Sequence, residues 1–178
     1  MSFSPDFLDH RRIGRDHDLF RLDPCAPGGV FWRPKGWAMM ARLRALAARA
    51  NAQAGYQEVQ SPDVLDRDLW ERSGHWQAYG ANMMALDVEG RALALKPMNC
   101  PGHAILYNAG PRHEAALPVR LAEFGRVHRQ EPSGALQGLL RLRSFTQDDG
   151  HAFCAPHQVE QEVARLDAVA RALYAALG

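Results

Sequence analysis

The sequence predicts an α+β fold built on an antiparallel hairpin with helices, and three observations point there. Residues 119–131 and 141–153 alternate in character with a period of two. Pro132-Ser133-Gly134 and Gln137-Gly138 between them carry the turn chemistry of an antiparallel pair. Ala-rich segments elsewhere repeat apolar residues every three or four positions, the helical period. Neither G-x-x-x-x-G-K-[ST] nor a G-x-G-x-x-G turn after a strand occurs, so parallel-sheet nucleotide folds lose ground.

In chain order, residues 9–19 read as a short helix within a polar opening stretch. Pro24, Pro27, Gly28 and Gly29 then mark a loop leading to a short strand at 30–32. Pro34-Lys35-Gly36 is a turn, and a helix follows over 36–54. Trp37, Met40, Leu43, Ala47 and Ala50 form its apolar stripe, with Gly55 placed as its C-terminal cap. A strand at 56–60 stops at Pro62, a helix over 63–73 ends at Gly74, and a short strand at 93–95 follows. After Lys96-Pro97-Met98-Asn99-Cys100-Pro101-Gly102-His103, a helix runs from 103 to 108. Beyond the hairpin, residues 157–177 close as a helix with Val159, Val163, Leu166, Val169 and Leu173 at helical spacing.

A chain of 178 residues is long enough for one domain with a real core, here spanning 1–178. Apolar residues are 47% and charged residues 23%, as in ordinary globular proteins, and the net charge of +1 supplies no global field to recruit nucleic acid or an anionic membrane. No window reaches the roughly 20 apolar residues of a membrane span, so no membrane partner is expected. Cys25, Cys100 and Cys154 form an odd, sparse set without a CxxC pair, which favours the reducing cytosol, a cytoplasmic location.

Chemistry concentrates on the hairpin. One parity of its second strand reads Arg141, Arg143, Phe145, Gln147, Asp149, His151 and Phe153, which strand geometry places in one row. On the first strand Glu123, Gly125, Val127, Arg129 and Glu131 share a parity. If the two rows share a face, Arg129 and Glu131 meet Arg143 and Phe145 across the sheet. Guanidinium forks suit phosphate oxygens, a flat ring stacks on a purine, and a carboxylate accepts from an exocyclic amine. Together they describe a site for a bent nucleotide. The plainer reading, a solvated strand face, is opposed by Phe145 within the polar row and by the few aliphatic residues on the other face. Cys100 and His151 are donors suited to zinc, although Cys100 also fits a small buried hydrophobe, and His103, His128 and His157 remain open as imidazoles.

These segments resemble the threonyl-tRNA synthetase family. The likeness lies in Lys96 to His103, Leu121-Ala122-Glu123-Phe124-Gly125, His128-Arg129-Gln130-Glu131-Pro132-Ser133-Gly134, and Phe145-Thr146-Gln147-Asp148-Asp149-Gly150-His151. Phe31-Trp32-Arg33-Pro34-Lys35-Gly36, the stretch from Gly55 to Pro62, and Ser73-Gly74-His75-Trp76 extend it over nearly the whole chain. The resemblance implies a class II aminoacyl-tRNA synthetase core, an antiparallel sheet flanked by helices. Its first signature, the helix and strand ending at Pro62, would form a homodimer interface. It implies that Arg129 holds the α-phosphate of ATP, Glu131 contacts the adenine amine, Phe145 stacks on the ring, and Arg141 and Arg143 sit beside the phosphates or the tRNA end. Cys100 and His151 would be two of three protein ligands of Zn²⁺, which in this family binds threonine's amino and hydroxyl groups. Met98, Gln147 and Asp149 would complete the threonine pocket, and Mg²⁺ would accompany ATP. The implied reaction is activation of threonine by ATP and transfer to tRNA(Thr).

The third class signature and the third zinc histidine have no counterpart in this sequence. Gln130, Gln137, Ser144 and Gly150 also stand where the family usually has Asn, His, Gly and Ala. The core is therefore expected to be incomplete at its C-terminal side, and the chain alone incomplete for catalysis. The alternative from another class is a truncated, non-catalytic paralogue that binds nucleotide or dimerises as a regulatory module.

Overall fold

The computed structural model describes residues 9–110 and 113–178; residues 1–8 of the polar opening stretch lie outside the described residues. Helix α1 (His10–Asp16) starts at Asp9, whose carboxylate accepts from the backbone N–H of Arg11 at 2.8 Å, an N-cap. Strand β1 (Phe20–Arg21) pairs antiparallel with β2 (Phe31–Trp32). Helix α2 (Pro34–Gln53) opens on a proline, whose missing N–H costs nothing in a first turn. It closes with Gly55 at φ 84°, the expected cap.

Strands β3 (Gln57–Glu58), β7 (Val119–His128) and β8 (Ser144–Phe153) form a sheet in the order β3-β7-β8. The expected antiparallel hairpin is β7–β8, while β3 joins β7 in parallel. Both strands of the hairpin are shorter than the alternation suggests. The backbone N–H of Arg143 donates to the carbonyl of Gly28 at 2.9 Å, so Arg141 and Arg143 belong to the connecting loop rather than to the ladder.

A second sheet has the order β4-β6-β5, from β4 (Val64–Asp66), β5 (Ala85–Val88) and β6 (Arg91–Leu95). It corrects the helix expected over 63–73. Val64, Leu65 and Asp66 pair with Leu95, Ala94 and Leu93, and Asp66 caps a shorter α3 (Arg67–Arg72) by accepting from Asp68 N–H at 3.0 Å. Helix α4 (His75–Tyr79) follows Gly74. Trp70, Met83 and Ala94 form a buried cluster there, joined by Leu65 and Trp76.

Helix α5 (Cys100–Ala109) begins one turn earlier than expected, with Pro101 in its first turn. Helix α6 (Val159–Leu177) closes the fold. The even-numbered face of the hairpin meets α2 and α6. Asn51 Nδ2 donates to Asp148 at 2.8 Å, the Arg44 guanidinium lies 4.7 Å from the Phe124 ring centre, and Arg120 Nη2 donates to the buried Glu162 at 2.6 Å. The predicted apolar stripes of α2 and α6 are not what they bury: Trp37 is 58% exposed, Val163 61% and Leu166 57%. The helices pack instead through small residues such as Ala47 and through the Glu162 ion pair. The odd-numbered face, with the predicted site row, looks toward α5.

Candidate functional site

The ladder register places Glu123 opposite Asp149, Gly125 opposite Gln147 and Val127 opposite Phe145, so the two odd-numbered rows do share a face. Beyond the ladder the pairing continues, with the backbone N–H of Arg129 donating to the Arg143 carbonyl at 2.8 Å. The Arg129 guanidinium lies 5.2 Å from the Phe145 ring centre, and its Nε donates to the Pro97 carbonyl at 3.3 Å. Glu131 is half-buried and accepts from Arg141 at 2.7 Å. Arg143 spends its donors on the chain itself: Nε reaches the Glu131 carbonyl at 2.8 Å and Nη2 the Ser133 hydroxyl at 3.1 Å. Four of the five residues expected at the nucleotide end are thus side-chain charges and one an aromatic ring, and the two arginines of the loop hold Glu131 between them.

At the other end of β8, the first turn of α5 and the residues before it engage the same row. Asn99, 1% exposed, donates to Asp149 Oδ2 at 3.0 Å, and its Oδ1 is buried without a hydrogen-bond partner. A Cβ at Gly125 would run into this carboxamide, so glycine is required where β7 passes beneath it. Met98 is half-buried between Pro97, which meets Arg129, and Asn99, which meets Asp149. Cys100 is half-buried; burial, and then the nearby Asp149 charge, push its thiol up. His151 is held low, chiefly by burial, which outweighs the opposing charge of Asp149. A thiol and an imidazole near one carboxylate are donors of the kind zinc takes. Among the described residues, however, no group of three or more His, Cys, Asp or Glu is gathered for a metal, so these supply part of a coordination shell.

Beneath this row lies a group that sequence reasoning missed. Lys96 and Glu123 are both fully buried and 2.6 Å apart. Lys96 Nζ also donates to Ser61 Oγ at 2.8 Å, and Glu123 accepts from Ser61 Oγ at 2.8 Å and Gln60 Nε2 at 2.9 Å. Burial would raise the Glu123 carboxyl, but the hydrogen bonds from Lys96 and Ser61 outweigh it and hold it below the usual range. His103, also fully buried, joins Glu123 Oε2 through Nε2 at 3.0 Å and His151 through Nδ1 at 2.8 Å. The parity of Glu123, between Leu121 and Val127 on the inner face, was the available signal.

An antiparallel hairpin in a sheet flanked by helices is the fold shared with class II tRNA synthetase structures. The family profile described as tRNA synthetase class II core domain (G, H, P, S and T) matches residues 83–178, and the chain belongs to that family. Within it the similarity is to threonine enzymes. The chain is 53% identical over 170 residues to threonine--tRNA ligase of Polynucleobacter necessarius subsp. necessarius (strain STIR1), covering 96% of this chain and 27% of that protein. It is 50% identical, with the same coverage, to that of Dechloromonas aromatica (strain RCB). It thus spans about a quarter of the length of these curated relatives. A crystal structure of the RNA binding domain of threonyl-tRNA synthetase from Cryptosporidium parvum Iowa II superposes with a TM-score of 0.93 at 42% identity, covering 96% of this chain and 43% of that one. Prolyl-tRNA synthetase of Giardia lamblia, solved with prolyl-adenylate, shares the fold at a TM-score of 0.83 and 18% identity, covering 92% and 34%.

Proposed function

We propose that residues 1–178 form part of the catalytic core of a threonine–tRNA ligase, with the ATP end at Arg129 and Phe145 and the threonine end at Gln147, Asp149 and His151. The observation that carries this reading is Arg129 over Phe145. Among the described residues the guanidinium's Nη groups have no hydrogen-bond partner, so they are free for phosphate oxygens beside a ring on which adenine stacks. Glu131 takes the adenine amine, and Arg141, which already holds Glu131, steadies it. Arg143 fixes the loop and adds positive potential near the phosphates.

The reaction is attack of the threonine carboxylate on the α-phosphorus of ATP, with pyrophosphate leaving, followed by transfer of the threonyl group to tRNA(Thr). The chain's residues contribute position and charge rather than a covalent nucleophile. Asp149, oriented by Asn99, accepts from the substrate's amino group, while Met98 and Gln147 border the side chain. Zn²⁺ held by Cys100 and His151 would supply a Lewis acid for the amino and hydroxyl groups, and Mg²⁺ would neutralise the ATP phosphates. Among the described residues no helix is long and apolar enough to cross a membrane. The three cysteines are unpaired, in keeping with a reducing cytoplasm.

We infer that a homodimer partner covers the apolar groove of about 520 Å³ lined by Trp37, Leu43, Phe124 and Leu177. Exposure of Trp37, Met39 and Leu43 along α2 favours an interface, and it equally serves the non-catalytic dimerising module. Amide chemical shifts separate the substrate ends. Mg·ATP should perturb Arg129, Glu131 and Phe145, and threonine should perturb Gln147, Asp149 and His151. ATP shifts confined to the α2 face would refute the assignment.

A further inference from the structure

The loop between β7 and β8 closes on itself and then docks on α1. Gln137 N–H donates to the Arg141 carbonyl at 3.1 Å and Leu140 N–H to the Gln137 carbonyl at 2.8 Å, which makes residues 137–141 a tight turn. The Leu139 N–H instead donates to Nε2 of His10, the first residue of α1, at 2.9 Å across 129 positions of sequence. Gly138, at φ 53°, lies flush against α1, since a Cβ there would run into the His10 ring. A backbone amide can only donate, so His10 Nε2 offers its lone pair and the ring hydrogen sits on Nδ1. Nδ1 lies 3.9 Å from the Asp9 carboxylate, which favours the same tautomer.

Helix α1 is a firm anchor for that bond. Its Gly14 packs directly on the Phe20 ring, Phe20 meets Trp32 edge-on at 5.8 Å, and Leu19 N–H donates to the Gly14 carbonyl at 2.8 Å. The base of the loop is held separately, by Arg143 N–H on the Gly28 carbonyl and by the Arg143 guanidinium on the Glu131 carbonyl. Leu140, at the tip, is 72% exposed and adds no apolar anchor. We infer that His10 is a positioning residue for the proposed ATP site: it fastens the 137–141 turn to α1 and thereby sets Arg141 and the Glu131 carboxylate that Arg141 holds. Its bearing on ATP rests on the proposed function, whereas the fastening itself is made by contacts inside the chain.

The Arg141 side chain is 55% exposed, and an exposed ion pair must offset the entropy of ordering two long side chains. With its backbone fixed by the turn, Arg141 has less freedom to lose and keeps Glu131 aimed. His10→Leu removes the acceptor and leaves the turn tethered at its base alone. His10→Gln places a carboxamide oxygen as many bonds from the backbone as Nε2, so it restores the acceptor without the ring.

Long-range ¹H–¹⁵N spectra of the ¹⁵N-labelled chain in mildly alkaline buffer read the His10 tautomer directly. Hydrogen on Nδ1 is expected; hydrogen on Nε2 overturns the inference, because that nitrogen could not then accept from Leu139. In the free chain, His10→Leu should move the amide signals of Leu139, Arg141 and Glu131, and His10→Gln should return them toward the parent. Signals of Arg141 and Glu131 that stay in place in His10→Leu overturn the positioning role. Titration with Mg·ATP gives a separate readout. His10→Leu should raise the dissociation constant about 3–10-fold, the share of one neutral hydrogen bond, and His10→Gln should bring it within about twofold of the parent. Parent affinity in His10→Leu, or His10→Gln as weak as His10→Leu, overturns the inference. A parent that shows the Nδ1–H form and the coupled Arg141 and Glu131 shifts but does not bind Mg·ATP upholds the fastening and removes the ATP reading alone.

Discussion

Removing the positive partner of Glu123 tests how the site row is supported from below. In Lys96→Met, a side chain of similar length replaces an ammonium that makes a 2.6 Å ion pair with a carboxylate, both groups fully buried. Ser61 and Gln60 still donate to Glu123, so the carboxylate keeps hydrogen bonds but loses the ammonium beside it. Breaking a buried pair from one side costs about 3–5 kcal/mol. For a domain of this size that lowers the melting temperature by roughly 6–20 °C, taking about 2–4 °C per kcal/mol.

The pH dependence carries a sign. In the parent the Glu123 carboxyl sits below its usual range, so its contribution is present above the ordinary carboxylate range and is lost as pH falls through the lowered value. In the variant, burial acts without the ammonium and raises the carboxyl. A proton then binds the folded state more readily than the unfolded one, and stability recovers as pH falls. Urea denaturation of both proteins at pH 8 and pH 5 should show the deficit shrinking on acidification. A deficit at pH 8 below about 1 kcal/mol, the range of an exposed pair, or one that grows toward pH 5, would refute the reasoning.

Other expectations follow from the same geometry. Gly125→Ala drives a methyl into the Asn99 carboxamide and should cost about 1–3 kcal/mol by denaturation while weakening threonine binding in titration calorimetry; unchanged threonine affinity would separate Asn99 from Asp149. Arg129→Ala removes a charged donor to phosphate worth about 1.5–3 kcal/mol, so the dissociation constant for Mg·ATP should rise roughly 10–150-fold, with the melting temperature little changed. Arg120→Ala leaves Glu162 buried without its bidentate partner and should destabilise the α6 contact. Because the Arg120 hydrogen bond holds Glu162 low, that loss should be full at pH 7 and fade in acid. Leu43→Glu should shift the sedimentation coefficient from dimer to monomer if α2 is the interface.

The hairpin was legible because its period of two is a property of the backbone, and the side chains that matter share one parity. Its ends were not, since Arg141 and Arg143 continue the alternation while the Arg141 backbone bonds with Gln137 and the Arg143 N–H turns to the Gly28 carbonyl. The β4-β6-β5 sheet was obscured for two local reasons. Asp66 reads as a helix-interior residue until its side chain is seen to cap Asp68, and Glu89 takes a positive φ of 54° that its type rarely adopts. Periodicity on α2 identified an apolar stripe, but periodicity does not say what covers it; Trp37 and Leu43 face outward. The residues proposed for ATP and threonine followed from resemblance and from parity. The group beneath them did not, because Lys and Glu are rarely fully buried, and Lys96, His103 and His151 come together through side-chain contacts between separate elements.

The central claim is that one strand holds ATP at one end and threonine at the other. Calorimetric titration of the chain with a non-hydrolysable threonyl-adenylate analogue, in the presence of zinc, tests both ends in one ligand. The account predicts saturable binding that is weakened at least about 10-fold by Arg129→Ala, through the lost charged contact, and about 10-fold or more when valyl replaces threonyl and a site polar group loses its hydroxyl partner. Equal affinity for the threonyl and valyl analogues, or binding indifferent to Arg129, would contradict it.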